Sequence, residues 1–418
     1  MEKQTANPNA KGIRVLFRNR PNMFTQRGGD TVVIEKTVAK LHELGVDAVI
    51  DEAGREDISQ FDIVHLYNFT LPQMVEQQAR EALAANKPFV VTTLNEDVPS
   101  FHNQSHAVSA QLVEYVGRGQ DASWYEAHKV SIDKIAPCPM FDNTWTVEHA
   151  SMLFTCGPAE TKVLQHYYPT ARIAEARVSH ELPEDQPADL FINTYGIEDF
   201  ILCVGRLESR KNQLQVLKAL EHVDLPVVLV AGDFSYQREY AEAVRSFKRR
   251  GPTIVLDHLS DELLASAYKA AKVHVLASWF EFPGLVSLEA AYFDCNVVVS
   301  DAGTTRDYFG DNAWYCSPGD ESSILQAVLA AYYSPLNEET KSVALNNHDW
   351  KRCASVYIRS YEAILNEKRM SAEPAPVTIA TPIAAPQGLP QLTVAGMSQA
   401  SAPQGELLEI IEKGENAA

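Results

Sequence analysis

The stretch Phe200-Ile201-Leu202-Cys203-Val204-Gly205-Arg206-Leu207-Glu208-Ser209-Arg210-Lys211-Asn212 opens with five apolar residues and changes character at one glycine. A short apolar run bounded by a turn signal reads as a strand buried on both faces. Glycine at the strand's carboxyl end lets a ligand approach the backbone, in the crevice where open α/β sheets bind ligands. Arg206 and Lys211 set two cations beside that crevice, a planar fork suited to phosphate oxygens and a mobile point charge. Alone, a G-R-x4-K string reads equally as a solvated loop with ordinary surface cations.

Downstream of this stretch, further apolar runs at 226–230, 253–256, 273–276 and 297–300 alternate with helical patterns. Upstream, an earlier series runs through 13–17, 46–50, 63–66, 89–93, 152–155 and 174–178. Strands alternating with helices predict mostly parallel sheets covered on both faces. Between the two series, residues 181–189 hold two prolines and four acids, so the join is expected near 180–198. Residues 95–143 are polar and rich in His and Asn, and predict loops and short helices. In the first βα turn, Gly28-Gly29 precedes Asp30, an expected helix cap, and Gly45 is the expected stop.

The 273–276 run feeds a second informative segment, Trp279-Phe280-Glu281-Phe282-Pro283-Gly284-Leu285-Val286-Ser287-Leu288-Glu289. Pro283 suits the first turn of a helix, whose free N–H groups near Gly284 and Leu285 would face the crevice as an anion site. Glu289 follows roughly 7.5 Å of helix rise later, a scale that suits a nucleotide sugar lying along the helix start. Glu281 would then lie near sugar hydroxyls and Glu289 near ribose hydroxyls, since ionised carboxylates only accept hydrogen bonds. The bland alternative is two solvent-facing glutamates on an amphipathic helix.

Together, Gly205 to Lys211, the E-x7-E pair Glu281 and Glu289 around Gly284-Leu285, and Gly28-Gly29 resemble the family 4 glycosyltransferases, retaining enzymes of the GT-B fold. The segments Phe61 to His65, Gly303 to Phe309 and Trp350 to Leu365 resemble recurring family segments as well. The resemblance spans about residues 11–366 and is strongest in the C-terminal half. It implies two Rossmann-like domains facing a cleft: residues 11–180 on the acceptor side and 195–340 holding the nucleotide sugar. A helix at 341–366 would cross back to the first domain.

The resemblance also implies roles. Arg206 and Lys211 would hold the donor diphosphate and stabilise the leaving group, and Glu281 would contact the donor sugar. Glu289 would take the ribose, the Gly205 backbone would lie close to the ligand, and the Gly284 and Leu285 amides would meet phosphates or sugar. Gly29 would close the diphosphate site from the other domain. The expected reaction moves a hexose from a UDP- or GDP-linked donor to a glycan or lipid-linked glycan acceptor, as in polysaccharide or lipopolysaccharide synthesis. No cofactor or metal is required, because cations and helix amides carry the charge. One departure stands out: where many members have His-Asp after the fourth strand, this chain reads Thr92-Thr93-Leu94-Asn95-Glu96-Asp97. His102 and His106 follow, and each reads most simply as a surface histidine.

Composition narrows the field. Of 418 residues, 45% are hydrophobic and 22% charged, with a formal net charge of −19. That is globular composition, and a strongly acidic chain is a poor nucleic-acid binder. No apolar run approaches the ~18 residues of a transmembrane helix, and the first residues carry no secretory pattern. A soluble cytoplasmic protein is expected, with the inner membrane face as a second place. The six cysteines are scattered without C-x-x-C and read as small buried apolar groups. Lys248-Arg249-Arg250 reads as a solvated helix end, or else a contact for anionic lipid. Residues 371–418 read as a Pro/Ala-rich flexible tail ending in a short amphipathic helix, either frayed or a docking peptide for a partner or second copy. Two rival functions use the same scaffold: a nucleotide-sugar epimerase or hydrolase, and a non-catalytic subunit of a glycan-synthesis complex.

Overall fold

The computed structural model describes residues 12–372 apart from 53, 125, 128–137, 140, 181, 233–236 and 348. The tail beyond residue 372, with its expected terminal helix, lies outside the described residues. Two six-stranded, wholly parallel sheets organise the rest. The first contains β1 (Arg14–Arg18), β2 (Asp47–Ile50), β3 (Ile63–Tyr67), β4 (Phe89–Thr92), β5 (Met152–Thr155) and β6 (Ile173–Glu175) in the order β2-β1-β3-β4-β5-β6. The second contains β7 (Phe200–Val204), β8 (Val227–Val230), β9 (Thr253–Leu256), β10 (Ala271–Leu276), β11 (Asn296–Ser300) and β12 (Trp314–Cys316) in the order β12-β11-β10-β7-β8-β9.

The central strands are mostly apolar because helices cover both faces, and β3, β4 and β7 are buried at every position. The covering helices in the first half are α1 (Gly29–Glu43), α2 (Pro72–Ala84), α3 (Val98–Gly117), α4 (Thr144–His149) and α5 (Pro158–Tyr167). In the second half come α6 (Asp189–Tyr195), α7 (Gln213–Ala219), α8 (Arg238–Ser246), α9 (Asp261–Ala270), α10 (Leu285–Tyr292), α11 (Thr305–Phe309), α12 (Glu321–Tyr333) and α13 (Glu338–Asn346). Last comes α14 (Trp350–Ala372), which returns to the first sheet. There Tyr361 and Thr92 each place a hydroxyl on a ring nitrogen of the buried His65, at 2.6 and 2.7 Å. Burial holds that imidazole neutral, its pKa lowered to about 3.

In the second sheet β7 lies between β10 and β8, so the chain leaves β7 in one direction and later returns on its other side. Such a switch point opens a crevice at the carboxyl ends of the strands. Both motif segments emerge there, one from β7 and one from β10.

The two halves are locked by α11. Asp307 Oδ2 accepts the Ala159 amide at the start of α5 at 2.8 Å, and Arg177 donates to the Asp307 carbonyl at 2.9 Å. Tyr308 donates to the Val178 carbonyl at 3.0 Å. Gly157 has no room for a side chain, because a Cβ would lie 2.6 Å from Asp307 Oδ2.

Several expectations are corrected. The polar stretch after β4 contains the 20-residue α3. Its buried stripe begins Val98, His102, Ser105, Ser109, so helical spacing is present but written largely in polar residues. Leu112, Val113 and Val116 complete the stripe and enter the core of the second half, where α3 packs on α7, α8 and the Ser209–Lys211 turn. Asp30 does not cap α1; Gly28 does, and Asp30 in the first turn accepts Arg20 and Asn19 at 2.9 and 2.8 Å. Burial alone would push that carboxyl up, but these donors hold it below its usual range. Pro283 lies before α10 rather than in its first turn, because Gly284 at φ +66° is the cap. The final helix continues past Leu365 to Ala372, and β12 is an additional strand. The strand expected over 174–178 closes early as β6. Arg249 is not a solvated cation: it curls back onto the carbonyls of Leu220, Val223, Leu225 and Pro252.

The packing of α3 is directly testable. Leu112→Ala is expected to destabilise the chain by about 2–5 kcal/mol, read as a lower urea midpoint. An unchanged midpoint would contradict the assignment of α3 to the second core.

Candidate functional site

The loop after β7 is fixed before any ligand arrives. Residues Ser209–Lys211 form one 3-10 turn, and Asn212 ends it in the left-handed region at φ +62°. Asn212 Nδ2 donates to the Ala277 and Pro318 carbonyls at 3.0 and 2.8 Å, which ties this loop to those after β10 and β12. The Trp279 amide donates to the Arg210 carbonyl at 2.9 Å and strengthens the same tie. Gln213 Nε2 donates to the Arg206 carbonyl at 2.7 Å. Gly205 stands at φ +149° with Lys211 methylenes 3.8 Å from where a Cβ would be.

Glu281 is where the two loops meet. Its carboxylate lies 2.5 Å from Lys211 Nζ and 3.6 Å from Arg210 Nη1, with only 8% of the side chain exposed. Burial alone would push this carboxyl up; Lys211 and then Arg210 outweigh that and hold it below its usual range. The Glu281 carbonyl accepts the Thr304 amide at 2.9 Å. Gly303, at φ +72°, passes so close that a Cβ would lie 1.8 Å from that oxygen. A side chain at 303 would therefore displace the backbone that carries Glu281. The sequence marked this glycine only as part of a family-like segment.

Arg210 proves to be an internal counter-ion rather than a simple surface cation. Glu96 and Glu281 lie 3.6 Å and Glu208 lies 3.5 Å from its guanidinium, which also donates to the Phe280 carbonyl at 2.9 Å. Burial opposes its charge, but Glu96, Glu281 and Glu208 outweigh burial and raise its pKa. Arg206, with 31% of its side chain exposed, lies 3.4 Å from Glu208.

Along α10, Gly284 caps the helix and Leu285 begins it. A Cβ on Gly284 would press on Leu276 and Ser287 at 3.3 Å. First-turn amides of a helix have no intrahelical acceptor and suit an anion. Glu289 lies one turn further on, half-buried, and accepts the Tyr268 hydroxyl at 3.0 Å. Desolvation pushes its carboxyl up to about 7; the Tyr268 hydrogen bond opposes that shift and Asp261 adds to it.

Thus Arg206, Lys211, Glu281, Gly205, Gly284, Leu285 and Glu289 belong to two loops joined at one crevice. Gly29 is not part of the ion-paired cluster. It is the exposed first residue of α1, and a Cβ there would meet nothing within 4 Å. The tight glycine is Gly28, where a Cβ would come 2.8 Å from Asp30 Oδ1.

Glu96 is the residue that motif reasoning passed over, and it reaches Arg210 from the first half of the chain. Its loop is held by Glu160, a buried carboxylate that accepts the Thr93 hydroxyl at 2.6 Å and the Asn95 and Cys156 amides at 2.7 and 2.6 Å. The signal available was position, an acid just past the carboxyl end of a buried strand. His102 is buried in α3 rather than on the surface, its ring tilted at 47° and 4.4 Å from that of the half-buried His106. A separate groove of about 510 Å³ over α2, lined by Gln73, Glu76, Gln77, Arg80, Glu81 and Ala84, contains none of these residues.

Comparison with known proteins bears on this geometry. Residues 189–346 match the family described as glycosyl transferases group 1. The chain is 28% identical over 172 residues to the "Serotype-specific mannosyltransferase WbdA" of Escherichia coli, covering 39% of this chain and 21% of that protein. Over 170 residues it is 29% identical to a Campylobacter jejuni "GalNAc-alpha-(1->4)-GalNAc-alpha-(1->3)-diNAcBac-PP-undecaprenol alpha-1,4-N-acetyl-D-galactosaminyltransferase", covering 39% of this chain and 45% of that one. The chain therefore spans less than half the length of these two curated relatives. Among solved structures, sucrose-phosphate synthase from Thermosynechococcus elongatus superposes with a TM-score of 0.62 at 15% identity, covering 85% of this chain and all of that one. That likeness establishes the GT-B fold.

Glu289 provides a pH test. Folding holds its proton to about pH 7, whereas an unperturbed carboxyl releases it near 4.5. Stability contributed here is therefore lost as pH rises through that window. Relative to wild type, Glu289→Gln is expected to gain stability between pH 4.5 and 7 and then level off in urea melts. A difference that stays constant from about pH 4 to 8 would contradict the shift.

Proposed function

We propose that this chain, a GT-B protein with a glycosyl transferases group 1 segment of the family 4 kind at residues 189–346, is a retaining glycosyltransferase. It moves a hexose from a nucleotide sugar to a glycan or lipid-linked glycan acceptor. The observation that carries this reading is the buried Lys211–Glu281 pair at 2.5 Å, which joins the cation loop of β7 to the carboxylate loop of β10. Cations for a diphosphate and a carboxylate for a sugar then stand at one switch-point crevice.

In this reading Arg206 and Lys211 take the diphosphate and stabilise the charge that develops on it as the glycosidic bond breaks. The Leu285 and Gly284 amides add hydrogen bonds to phosphate or sugar, so UDP- or GDP-linked donors need no metal. Gly205 keeps the backbone low beneath the ligand. Glu281 accepts from sugar hydroxyls and Glu289 from the ribose. Attack comes from the face the leaving phosphate departs, and that phosphate takes the acceptor's proton; no enzymic nucleophile is assigned. Gly29 remains a proposed closure element that reaches the phosphates only when a donor is bound.

The relatives described above are named as transferases, which favours transfer over epimerisation, hydrolysis or a purely structural role. No helix among the described residues is long and apolar enough to cross a membrane. A lipid-linked acceptor would bring this cytoplasmic enzyme to the inner membrane face.

Arg206→Ala and Lys211→Ala are each expected to lower turnover about 10²–10³-fold, the cost of losing one preorganised charge-stabilising group. A thermal-shift screen with UDP-, GDP- and ADP-sugars identifies the donor first, since a ligand selective for the folded state raises the melting point. Normal turnover in either variant would overturn the assignment.

A further inference from the structure

The cluster around Arg210 is electrically balanced. Its cations are Arg206, Arg210 and Lys211, and its carboxylates are Glu96, Glu208 and Glu281, each cation lying within 4 Å of at least one carboxylate. Glu208 and Glu281 arise from the same half of the chain as the cations, but Glu96 arrives from the other side of the cleft. Its backbone is set in advance. Glu160 grips Thr93 and Asn95, the Val98 amide donates to the Glu96 carbonyl at 2.8 Å, and Leu94 is held at φ +40°, an uncommon conformation for leucine. Residues kept in sparsely populated backbone regions persist only where surroundings over-determine them, and they gather at binding sites. One fifth of the Glu96 side chain is exposed, so it is both anchored and partly open to solvent.

From this juxtaposition we propose that Glu96 is a specificity-determining residue that selects donors with a neutral, hydroxyl-bearing sugar and rejects sugars carrying a carboxylate. The inference rests on the donor-site reading given above. Once a diphosphate has engaged Arg206 and Lys211, the carboxylates of Glu96 and Glu281 face the sugar from two sides. Hydroxyl groups satisfy them by donating hydrogen bonds. A uronic acid brings a further negative charge into the same partly buried space. Like charges about 6 Å apart, at an effective dielectric of about 20, correspond to roughly a 100-fold loss of affinity. Glu160 is the positioning residue that presets the Glu96 loop.

The test is isothermal titration of the full-length chain and Glu96→Gln with UDP, UDP-glucose and UDP-glucuronic acid, and with GDP, GDP-mannose and GDP-mannuronic acid. In the series whose nucleoside diphosphate binds, wild type is expected to favour the neutral donor by roughly 100-fold. Glu96→Gln is expected to narrow that ratio at least tenfold, and taking the ratio cancels any change common to both donors. Equal affinity of wild type for neutral and acidic donors overturns the proposal, and so does an unchanged ratio in a variant that still binds the nucleoside diphosphate. If neither UDP nor GDP binds wild type, the reading of the crevice as a site for UDP- or GDP-linked donors has itself failed, which is a different result from binding without discrimination.

Discussion

The ion pair between Lys211 and Glu281 is the constraint from which the site is built. Two opposite charges with 14% and 8% of their side chains exposed cannot be left singly without a large desolvation cost. They therefore fix the distance between two loops that leave neighbouring strands of one sheet. Around them the backbone is tailored: Asn212 ties the loops together, and Gly303 lets the 303–304 backbone press against the Glu281 carbonyl. Arg210 extends the pair into a network that includes Glu96 from the other half of the chain.

This arrangement concentrates cations at one place in a chain of net charge −19. Cations are gathered at the switch point and are held there by carboxylates rather than by solvent. Those carboxylates place opposite signs of charge a few ångströms apart within one cluster. The lock of Asp307 and Tyr308 onto α5 and the segment that follows β6 joins the two halves of the chain. The crevice at the carboxyl ends of the second sheet thus faces the first half of the chain.

Much of this was legible in the sequence. Parallel strands buried on both faces are written as runs such as Phe200 to Val204, and β5, β7 and β9 fall where those runs were read. The motif residues Arg206, Lys211, Glu281 and Glu289 were visible because spacing along a strand–loop–helix unit survives without tertiary information. What escaped was decided by tertiary contact. The middle of the α3 stripe is buried as His102, Ser105 and Ser109, so its period carried little hydrophobic signal there. Asp30 looked like a cap, yet Arg20 and Asn19 claimed its carboxylate. Arg249 looked solvated, yet a ring of carbonyls claimed it. Glu96 lacked a motif altogether, and only the approach of the second half of the chain gives it a partner.

The central claim is that the two motif loops act as one ion-paired unit in the protein without ligand. A double-mutant cycle on urea stability with Lys211→Met, Glu281→Gln and the double variant measures this directly. The two single losses are expected to sum to more than the loss of the double variant by a coupling of about 2–3 kcal/mol, as for partners sharing one buried network. Additivity within about 0.5 kcal/mol would mean that the loops are held together by something else, and would contradict it.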